Sequence, residues 1–344
     1  MVLQRTHAGL KVPQGLERGG GSLSGCRDDL LERRVRDVSG SVEAWIGGTH
    51  RAVHHHPAAL GQIDEILDQL WGLDISAFAA ELAVINLCRQ DLDSQSNFPR
   101  IAVRDFFDLK TTDSLSFPPA QNLRGSPARV DIALPSFDVV VGNPPYVRSQ
   151  QLDDLDVTYK RKLERVAVGA GLSAAAKFDA FAFFILHARR FVKPGGRLGF
   201  VTSAAWLTSE YGNVLKTFIL HEFQPLLLLF STAEPFFPVV AIDTVVIVLE
   251  ALPPRTSPDR PIRFVTLQRP LGELLPDEGD ERYWTSLSGL LADLESSPPG
   301  QHEGFMVSEL EASAERLALA QEPKVNRNWA RPFRQTPIYL ELFS

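Results

Sequence analysis

Apolar and polar residues follow two different periods along the middle of the chain. Short apolar runs, typical of buried strands, alternate with longer stretches in which apolar residues recur at intervals of three and four, as on one face of a helix. The strand-like runs are residues 70–75, 101–103, 137–141, 197–202, 226–230 and 244–249. This alternation predicts an α/β fold with a mostly parallel sheet that helices cover on both faces.

Helical spacing is clearest in three places. Ser76 can cap a first helix, whose inward positions are Phe78, Ala79, Leu82, Ala83 and Asn86. A second helix has its apolar positions at Phe181, Phe184, Ile185, Ala188 and Phe191. The turn Lys193-Pro194-Gly195-Gly196 ends that helix, because glycine and proline cannot continue it. A third helix is predicted from Trp206 to His221.

Three stretches lack this regular pattern. Residues 1–60 hold five of the eight histidines and no apolar period, so we expect little packed structure there. Residues 152–177 are first charged and then rich in Ala and Gly, typical of a connection over an active site. The chain is irregular again beyond residue 253, apart from a helix predicted over 308–320. The sequence thus predicts a catalytic domain at 61–252, preceded by a segment outside it and followed by an irregular extension at 253–344.

Composition and charge narrow the class of protein. With 44% hydrophobic residues among 344, the chain can bury a sizeable core. Its apolar stretches fall well short of the roughly 20 residues that cross a bilayer, and no signal-peptide pattern is present, so we expect a cytoplasmic protein without membrane contact. The formal net charge of −7 argues against a domain that wraps DNA by itself. It leaves open a catalytic domain whose grip on DNA comes from another domain or subunit.

Polar residues stand at the ends of three predicted strands. Asp74 ends the first, Asp105 follows the second, and Asn143-Pro144-Pro145-Tyr146 follows the third. In an open α/β sheet, ligands bind at the carboxyl ends of the strands. An acid at such an end can accept hydrogen bonds from ribose hydroxyls, although a single Asp is also a common helix cap or turn residue. The series of three strand ends favours a ligand site.

Taken in order, these residues carry a family resemblance. Across residues 61–250 the chain resembles gamma-type N6-adenine DNA methyltransferases of restriction-modification systems, especially the Eco57I-like group, on the motifs Asp74-Ile75, Asp105-Phe106, Asn143-Pro144-Pro145-Tyr146, Phe178-Asp179 to Gly196, and Phe237-Pro238. The resemblance implies S-adenosyl-L-methionine as methyl donor, a Rossmann-like methyltransferase fold and a flipped-out adenine of DNA as acceptor. It places catalysis in the tetrapeptide, base stacking at Tyr146 and Phe237, and cofactor contacts at Asp74, Ile75, Asp105, Phe106 and Asn143.

The chemistry of adenine explains why the residues of the tetrapeptide suit methylation of N6. The exocyclic N6 is a poor nucleophile because its lone pair is delocalised into the ring, and two acceptors on its N–H bonds favour a more reactive nitrogen. The side-chain oxygen of Asn143 and the carbonyl of Pro144 are suited to this role, since consecutive prolines fix the backbone. Tyr146 can stack on the extruded base. Phe237 matches the family's aromatic residue on the other face, with Phe236 as an adjacent competitor.

The N-terminal part departs from the family pattern. The family has a first strand that ends in an Asp-Pro-x-x-Gly-x-Gly loop, where glycines let the backbone approach the methionine part of the cofactor. Gly19-Gly20-Gly21 follows no apolar strand, so neither strand nor loop is recognised within residues 1–60. Residues 328–342 resemble the lead-in to a target-recognition domain. We therefore expect a catalytic core incomplete at both ends that binds S-adenosylmethionine weakly, with DNA and a separate target-recognition or restriction subunit as partners.

Two other functions stay open. One is an inactive remnant or interaction module that keeps the fold without the cofactor loop. The other is a protein-glutamine or RNA methyltransferase, since those substrates present a similar amino nitrogen to the same tetrapeptide. Cytosine-C5 methylation is excluded because it needs a Pro-Cys nucleophile, whereas Cys26 follows Gly25 and Cys88 follows Leu87. These cysteines and the triplet His54–His56 lack metal-ligand spacing, so no metal site is expected.

Overall fold

The computed structural model describes residues 2–5, 70–88, 99–118, 129–152, 155–175, 177–237, 242–277, 279–323, 325 and 327–334. The chain divides into two compact units, Met1–Leu134 and Pro135–Ser344. This division differs from the predicted domain limits at residues 60 and 252. Among the residues singled out above, those outside the described part are Gly19–Gly21, Cys26, His54–His56 and Pro238.

The first unit contains three parallel strands in the order β1 (Val2–Arg5), β2 (Trp71–Asp74) and β3 (Arg100–Val103). All four residues of β2 are buried, which explains why this strand is a continuous apolar run. Helix α1 (Ala77–Cys88) follows it. An antiparallel pair, β4 (Ser114–Phe117) and β5 (Val130–Ala133), also belongs to this unit.

Strand β1 overturns part of an expectation. The sequence predicted no strand within residues 1–60, yet Val2–Arg5 pairs in parallel with Trp71–Asp74. Four residues are at the lower limit of what an apolar alternation can reveal, whereas strand pairing depends on backbone hydrogen bonds that any sequence offers. The expectation of little packed structure within residues 1–60 is therefore wrong for residues 2–5.

Helix α1 begins as predicted, and its buried face coincides with the predicted face only at Ala79 and Asn86. Ser76 caps the helix, since its Oγ accepts the backbone N–H of Ala79 at 3.4 Å. Phe78, expected to point inward, is exposed. The helix is rotated relative to the predicted phase, and its buried residues are Ala79, Ala80, Asn86 and Leu87.

The second unit is built on a sheet of seven described strands. In chain order these are β6 (Phe137–Asn143), β7 (Val192–Ser203), β8 (Phe223–Ser231), β9 (Thr244–Ala251), β10 (Pro261–Leu267), β11 (Gly300–Gln301) and β12 (Phe305–Glu311). Across the sheet their order is β11-β12-β10-β8-β9-β7-β6. β9 runs antiparallel to both β7 and β8, and β12 antiparallel to β10, whereas the pairs β6–β7 and β8–β10 are parallel. The sheet is mixed and less parallel than predicted, because β9 pairs with its two neighbours, and β12 with β10, in the opposite direction.

The described helices of the second unit are α2 (Ser149–Leu152), α3 (Val157–Gly169), α4 (Ala180–Ala188), α5 (Glu210–Glu222), α6 (Leu271–Leu274), α7 (Tyr283–Ser296) and α8 (Ala312–Gln321). All nine residues of α4 are buried, as expected for a helix that is apolar on every side. It ends before Phe191, and the helix predicted from Trp206 starts as a separate 3-10 turn ahead of α5. No helix in the described part of the chain is long and apolar enough to cross a membrane.

Two segments are more regular than the sequence indicated. Residues 152–177, predicted as a connection, contain α3, which buries Leu163, Val166 and Ala167. Three buried positions among many charged ones are too few to reveal a helical period in the sequence alone. Beyond residue 253, where an irregular extension was predicted, β10, α7, β12 and α8 add to the second unit, and the predicted helix begins at Ala312 because Ser308 lies in β12.

Candidate active site

Asp74 is the acid at the carboxyl end of β2 in the first unit. Asp74 is 5% exposed, and its Oδ1 accepts a hydrogen bond from the backbone N–H of Ser76 at 2.8 Å. The carbonyl of Asp74 accepts the N–H of Arg104 at 2.9 Å, which ties the end of β2 to the residue after β3. The next residue, Ile75, is 46% exposed. This strand end therefore presents a fixed carboxylate beside an accessible apolar side chain.

Asp105 and Phe106 follow β3 in the same unit. Oδ1 of Asp105 accepts the N–H of Phe107 at 2.9 Å and so caps the 3-10 turn Phe106–Asp108. Capping is the structural role that a strand-end Asp often has. The side chain of Phe106 is buried in the core at 1% exposure, so contact with a ligand at this residue falls to its backbone.

The candidate catalytic tetrapeptide begins at the last residue of β6 in the second unit. Pro144 is buried, whereas Asn143, Pro145 and Tyr146 are half-buried. The hydroxyl of Tyr146 donates a hydrogen bond to Oδ1 of Asn143 at 2.8 Å. This bond fixes the orientation of the Asn143 amide, while the two proline rings restrict the backbone between the bonded side chains.

Tyr146 acts in this pair as a donor. Burial raises the pKa of its hydroxyl well above the ordinary value for tyrosine. The hydroxyl therefore stays protonated at neutral pH and keeps its proton available for the bond to Asn143.

Two aromatic residues compete for the position opposite Tyr146, and their surroundings differ. The ring centroid of Phe237 lies 6.3 Å from that of Tyr146, with an angle of 57° between the ring planes. Phe236 instead packs against an apolar cluster on the strands β10 and β12 and helix α7, formed by Val265, Leu267, Leu294, Phe305 and Val307. Phe237 is thus the residue placed at the tetrapeptide.

A buried carboxylate holds the loop that follows the tetrapeptide. Asp179 is 8% exposed, and its Oδ1 accepts the backbone N–H of Ser149 at 2.8 Å. Its Oδ2 accepts the hydroxyl proton of Tyr211, on α5, at 2.6 Å. The N–H of Ala180 also donates to the carbonyl of Val147 at 2.9 Å. These bonds attach residues 147–149 to the start of α4 and to α5.

Asp179 and Tyr211 were not assigned a site role from the sequence. Asp179 stands at the N-cap of α4, where an Asp usually accepts an N–H of its own helix, yet its side chain makes no such bond. Burial, followed by the hydrogen bond and charge of Asp179, raises the pKa of Tyr211 well above its ordinary value. The sequence signal for a role of Asp179 is its position as an acid of the family motif directly before a wholly apolar helix.

The two units together contain the strand-end acids and the Asn-Pro-Pro-Tyr turn expected of a methyltransferase, and the fold is a Rossmann-like S-adenosylmethionine-dependent methyltransferase fold. The crystal structure of the type IIG restriction endonuclease BpuSI shares this fold, with a TM-score of 0.53 and 21% identity over 76% of this chain and 26% of that chain. At this level of identity the likeness concerns the fold alone.

Residues 68–237 match the family described as Eco57I restriction-modification methylase. Type II methyltransferase M.XhoI of Xanthomonas vasicola is 32% identical over 90 residues, which are 26% of this chain and 15% of the relative. A putative type II restriction enzyme and methyltransferase, RM.MjaORFECS2P of Methanocaldococcus jannaschii, is 25% identical over 241 residues, 67% of this chain and 18% of the relative. The chain thus spans less than a fifth of the length of these two curated relatives.

Proposed function

We propose that this chain transfers a methyl group from S-adenosyl-L-methionine to N6 of an adenine flipped out of DNA, in a restriction-modification system. The observation that carries the proposal is the arrangement at the end of β6. There the hydroxyl of Tyr146 orients the amide oxygen of Asn143, and the ring of Tyr146 contacts the ring of Phe237. The family match over residues 68–237 supports the same conclusion.

The amide and the proline carbonyl act on the acceptor nitrogen. In the proposed complex, Oδ1 of Asn143 and the carbonyl oxygen of Pro144 accept hydrogen bonds from the two N6–H groups of adenine. These bonds stabilise the positive charge that develops on N6 during methyl transfer. Because the tetrapeptide is held rigidly, these oxygens need no rearrangement as the charge appears. The surplus proton of N6 then leaves to solvent.

The bond from Tyr146 is compatible with this role. A side-chain carbonyl oxygen has two lone pairs, so Oδ1 of Asn143 can accept the Tyr146 hydroxyl and an adenine N–H together. The hydroxyl keeps the amide oxygen, and not its NH₂ group, available to the substrate. Tyr146 thereby has two functions, one through its hydroxyl and one through its ring.

The two rings have to separate slightly to hold a base. A planar base between parallel rings needs about 7–8 Å between them, twice the optimal carbon contact of 3.5–4.0 Å. The observed centroid distance of 6.3 Å and tilt of 57° correspond to rings that contact each other. We infer that base capture moves Phe237 outward by about 1 Å and rotates it, so that ring–base contacts replace the ring–ring contact.

The strand ends of the first unit have the chemistry that the cofactor requires. S-adenosylmethionine supplies an electrophilic methyl group on a sulfonium centre. Asp74 would accept hydrogen bonds from the ribose hydroxyls, Ile75 would cover an adenine face, and the backbone at Phe106 would contact the ring edge. Asp105, which caps the turn that carries Phe106, would hold this backbone in place.

The partners follow from the substrate. We expect DNA as the macromolecular substrate, a separate target-recognition or restriction subunit as a further partner, and a cytoplasmic location. The name of one relative combines a restriction enzyme and a methyltransferase in a single protein, which supports a link of this chain to restriction activity.

The test is to follow a labelled methyl group from S-adenosylmethionine into DNA, RNA and protein in parallel reactions. The proposal expects label in DNA and its recovery as N6-methyladenine after digestion. Label recovered in RNA or in protein glutamine, with none in DNA, would replace the proposed substrate by one of the alternatives. Absence of transfer to all three, with no binding of S-adenosylmethionine, would favour a nonenzymatic module.

A further inference from the structure

Helix α3 concentrates positive charge in an acidic chain. Four of its 13 residues are Lys or Arg and one is acidic, namely Lys160, Arg161, Lys162 and Arg165 against Glu164. Lys and Arg make up only 35 of the 344 residues of the chain, which carries a formal net charge of −7. A helix of that average composition would hold one or two cations, so α3 is well above the average.

Two of these cations are neighbours on the exposed face of the helix. Arg161 and Arg165 are both exposed and stand four residues apart, where side chains of a helix are neighbours. Like charges at this spacing destabilise a helix, whereas an ordinary solvated helix face gains from opposite charges. The side chain of Arg165 donates from Nε to the carbonyl of Arg161 at 3.3 Å, which keeps the two guanidinium groups on one face. A bound anion would relieve their repulsion.

An open groove of about 740 Å³ follows this face, and its lining includes Thr158, Arg161, Arg165 and Val168. A guanidinium group presents a planar set of donors that matches a phosphate, and a threonine hydroxyl adds another donor. Backbone phosphates of nucleic acids are bound by this combination of side chains. The groove therefore has the chemistry of a phosphodiester site.

The groove adjoins a second cavity, which reaches the loop of the candidate active site. Glu164 and Ala174 line both this groove and a second cavity of about 250 Å³, which is also lined by Ser149 and Lys177. Ser149 lies three residues beyond Tyr146 and is held by Asp179. Helix α3 thus borders both the basic groove and the cavity next to the segment that leads away from the tetrapeptide.

We propose that the exposed face of α3 binds the phosphates of the DNA strand next to the flipped adenine. The inference rests on the proposed function, since it assigns part of the DNA contact of that same site. Extruding a base rotates it about its own backbone, so the neighbouring phosphates have to be held while the base leaves the stack. In a chain of net charge −7, a local basic face is also what allows approach to DNA.

The test compares two variants that each remove two positive charges. Arg161→Gln/Arg165→Gln alters the α3 face, and Arg255→Gln/Arg316→Gln alters exposed arginines elsewhere in the second unit. Affinity for a mixed-sequence DNA duplex is measured by fluorescence anisotropy over a series of KCl concentrations. We expect the α3 variant to lose affinity on the order of tenfold at low salt and to reduce the slope of log affinity against log salt by about 2, near 0.9 for each lost phosphate contact.

The control variant should keep the slope of the unaltered chain. An unchanged slope in the α3 variant, or an equal reduction in both variants, would overturn the inference. Thermal unfolding of both variants establishes that they fold. Methyl incorporation by the unaltered chain distinguishes a failure of this inference from a failure of the proposed function. If the unaltered chain methylates DNA while the α3 variant keeps an unchanged slope, only the α3 assignment is refuted. If the unaltered chain methylates RNA or protein, the proposed function is refuted.

Discussion

At the scale of single residues, the adjacent Phe236 and Phe237 provide a matched pair. Phe237 faces Tyr146, whereas Phe236 packs against the apolar cluster of the second unit. Phe237→Ala should remove one stacking partner of the flipped base, worth about 1–3 kcal/mol, and weaken base capture on the order of 10- to 100-fold. The measurement is the fluorescence of 2-aminopurine placed at the target position.

Phe236→Ala serves as the control. It should leave the 2-aminopurine signal nearly unchanged and instead lower the free energy of unfolding by roughly 1–3 kcal/mol, since it removes partly buried packing. If both substitutions change base capture equally, Phe237 does not have the role assigned to it.

The hydrogen bonds that Asp179 accepts from Ser149 and Tyr211 give a second prediction. Tyr211→Phe removes the donor to Oδ2 of this buried carboxylate and leaves the bond from Ser149 in place. A buried charge that loses a hydrogen bond costs about 1–3 kcal/mol, and we expect the loop after the tetrapeptide to loosen as a result. Turnover should fall about tenfold while the Kd for S-adenosylmethionine stays constant, as measured by single-turnover methylation and calorimetry.

Tyr283→Phe, in α7, is the comparison for a tyrosine hydroxyl elsewhere in the second unit. If Tyr211→Phe lowers the melting temperature but leaves turnover at its normal value, the bond to Asp179 has a structural role only. Asp179→Asn, which keeps the shape of the side chain, should retain more activity than Asp179→Ala.

The contrast between these residues shows what sequence can and cannot indicate. Asn143, Pro144, Pro145 and Tyr146 are adjacent, so the whole acceptor group is visible as a motif. The Asp179–Tyr211 bond joins side chains 32 residues apart on two helices, and it depends on how α4 and α5 pack. No local pattern encodes that distance.

At the scale of elements, α5 binds the segment that follows α8. Lys216, which is fully buried, donates from Nζ to the carbonyl of Leu207 at 2.9 Å and to the carbonyl of Arg327. Arg327 pairs with Glu315 at 2.6 Å, and Nε1 of Trp329 donates to the same carboxylate at 3.0 Å. A buried cation therefore lies at the centre of the contact between α5, α8 and residues 327–329.

This arrangement predicts a pH dependence of stability. Burial lowers the pKa of Lys216 to about 8 from an ordinary value of 10.5; Glu315 opposes this effect and Arg327 adds to it. Between pH 8 and 10.5 the unfolded chain holds the proton while the folded chain has released it, so the free energy of unfolding rises with pH in this window. The contribution of Lys216 should be at most about 3 kcal/mol.

Urea unfolding of the unaltered chain and Lys216→Met at several pH values measures this contribution. The difference in free energy of unfolding between the two should shift in favour of the unaltered chain as pH rises through the window. A difference that is constant with pH would mean that Lys216 titrates normally in the folded chain.

The elements differ in how well sequence defined them. β2 and α4 are wholly buried, and both lie where the sequence predicted them, except that α4 ends before Phe191. α3 and β1 were missed because one shows few buried residues among charges and the other is only four residues long. The antiparallel direction of β9 depends on strand pairing across the sheet, which periodicity does not report.

At the scale of the whole molecule, β1 changes the expectation for cofactor binding. The sequence predicted weak binding because both the first strand and its glycine loop were unrecognised. With β1 paired to β2, the end of β2 at Asp74 is supported by strands on both sides, β1 and β3. We therefore expect measurable binding of S-adenosylmethionine that depends on Asp74.

Asp74→Asn is the corresponding substitution. It keeps the side-chain shape but replaces the charge-assisted hydrogen bonds to the ribose with bonds to a neutral amide. The expected loss is about 1.5–3 kcal/mol, which raises the Kd roughly 10- to 100-fold. Calorimetry measures this change, with Asp131→Asn on the exposed face of β5 as control. Equal Kd values for Asp74→Asn and the unaltered chain would remove Asp74 from the cofactor site.

The most direct test of the central claim is single-turnover methylation of DNA by the unaltered chain and by Asn143→Ala, with N6-methyladenine quantified by mass spectrometry. Removing one preorganised acceptor should lower the rate on the order of 10²- to 10³-fold. The Kd for S-adenosylmethionine should change much less, because Asn143 acts on the acceptor nitrogen. Near-normal formation of N6-methyladenine by Asn143→Ala would contradict the account.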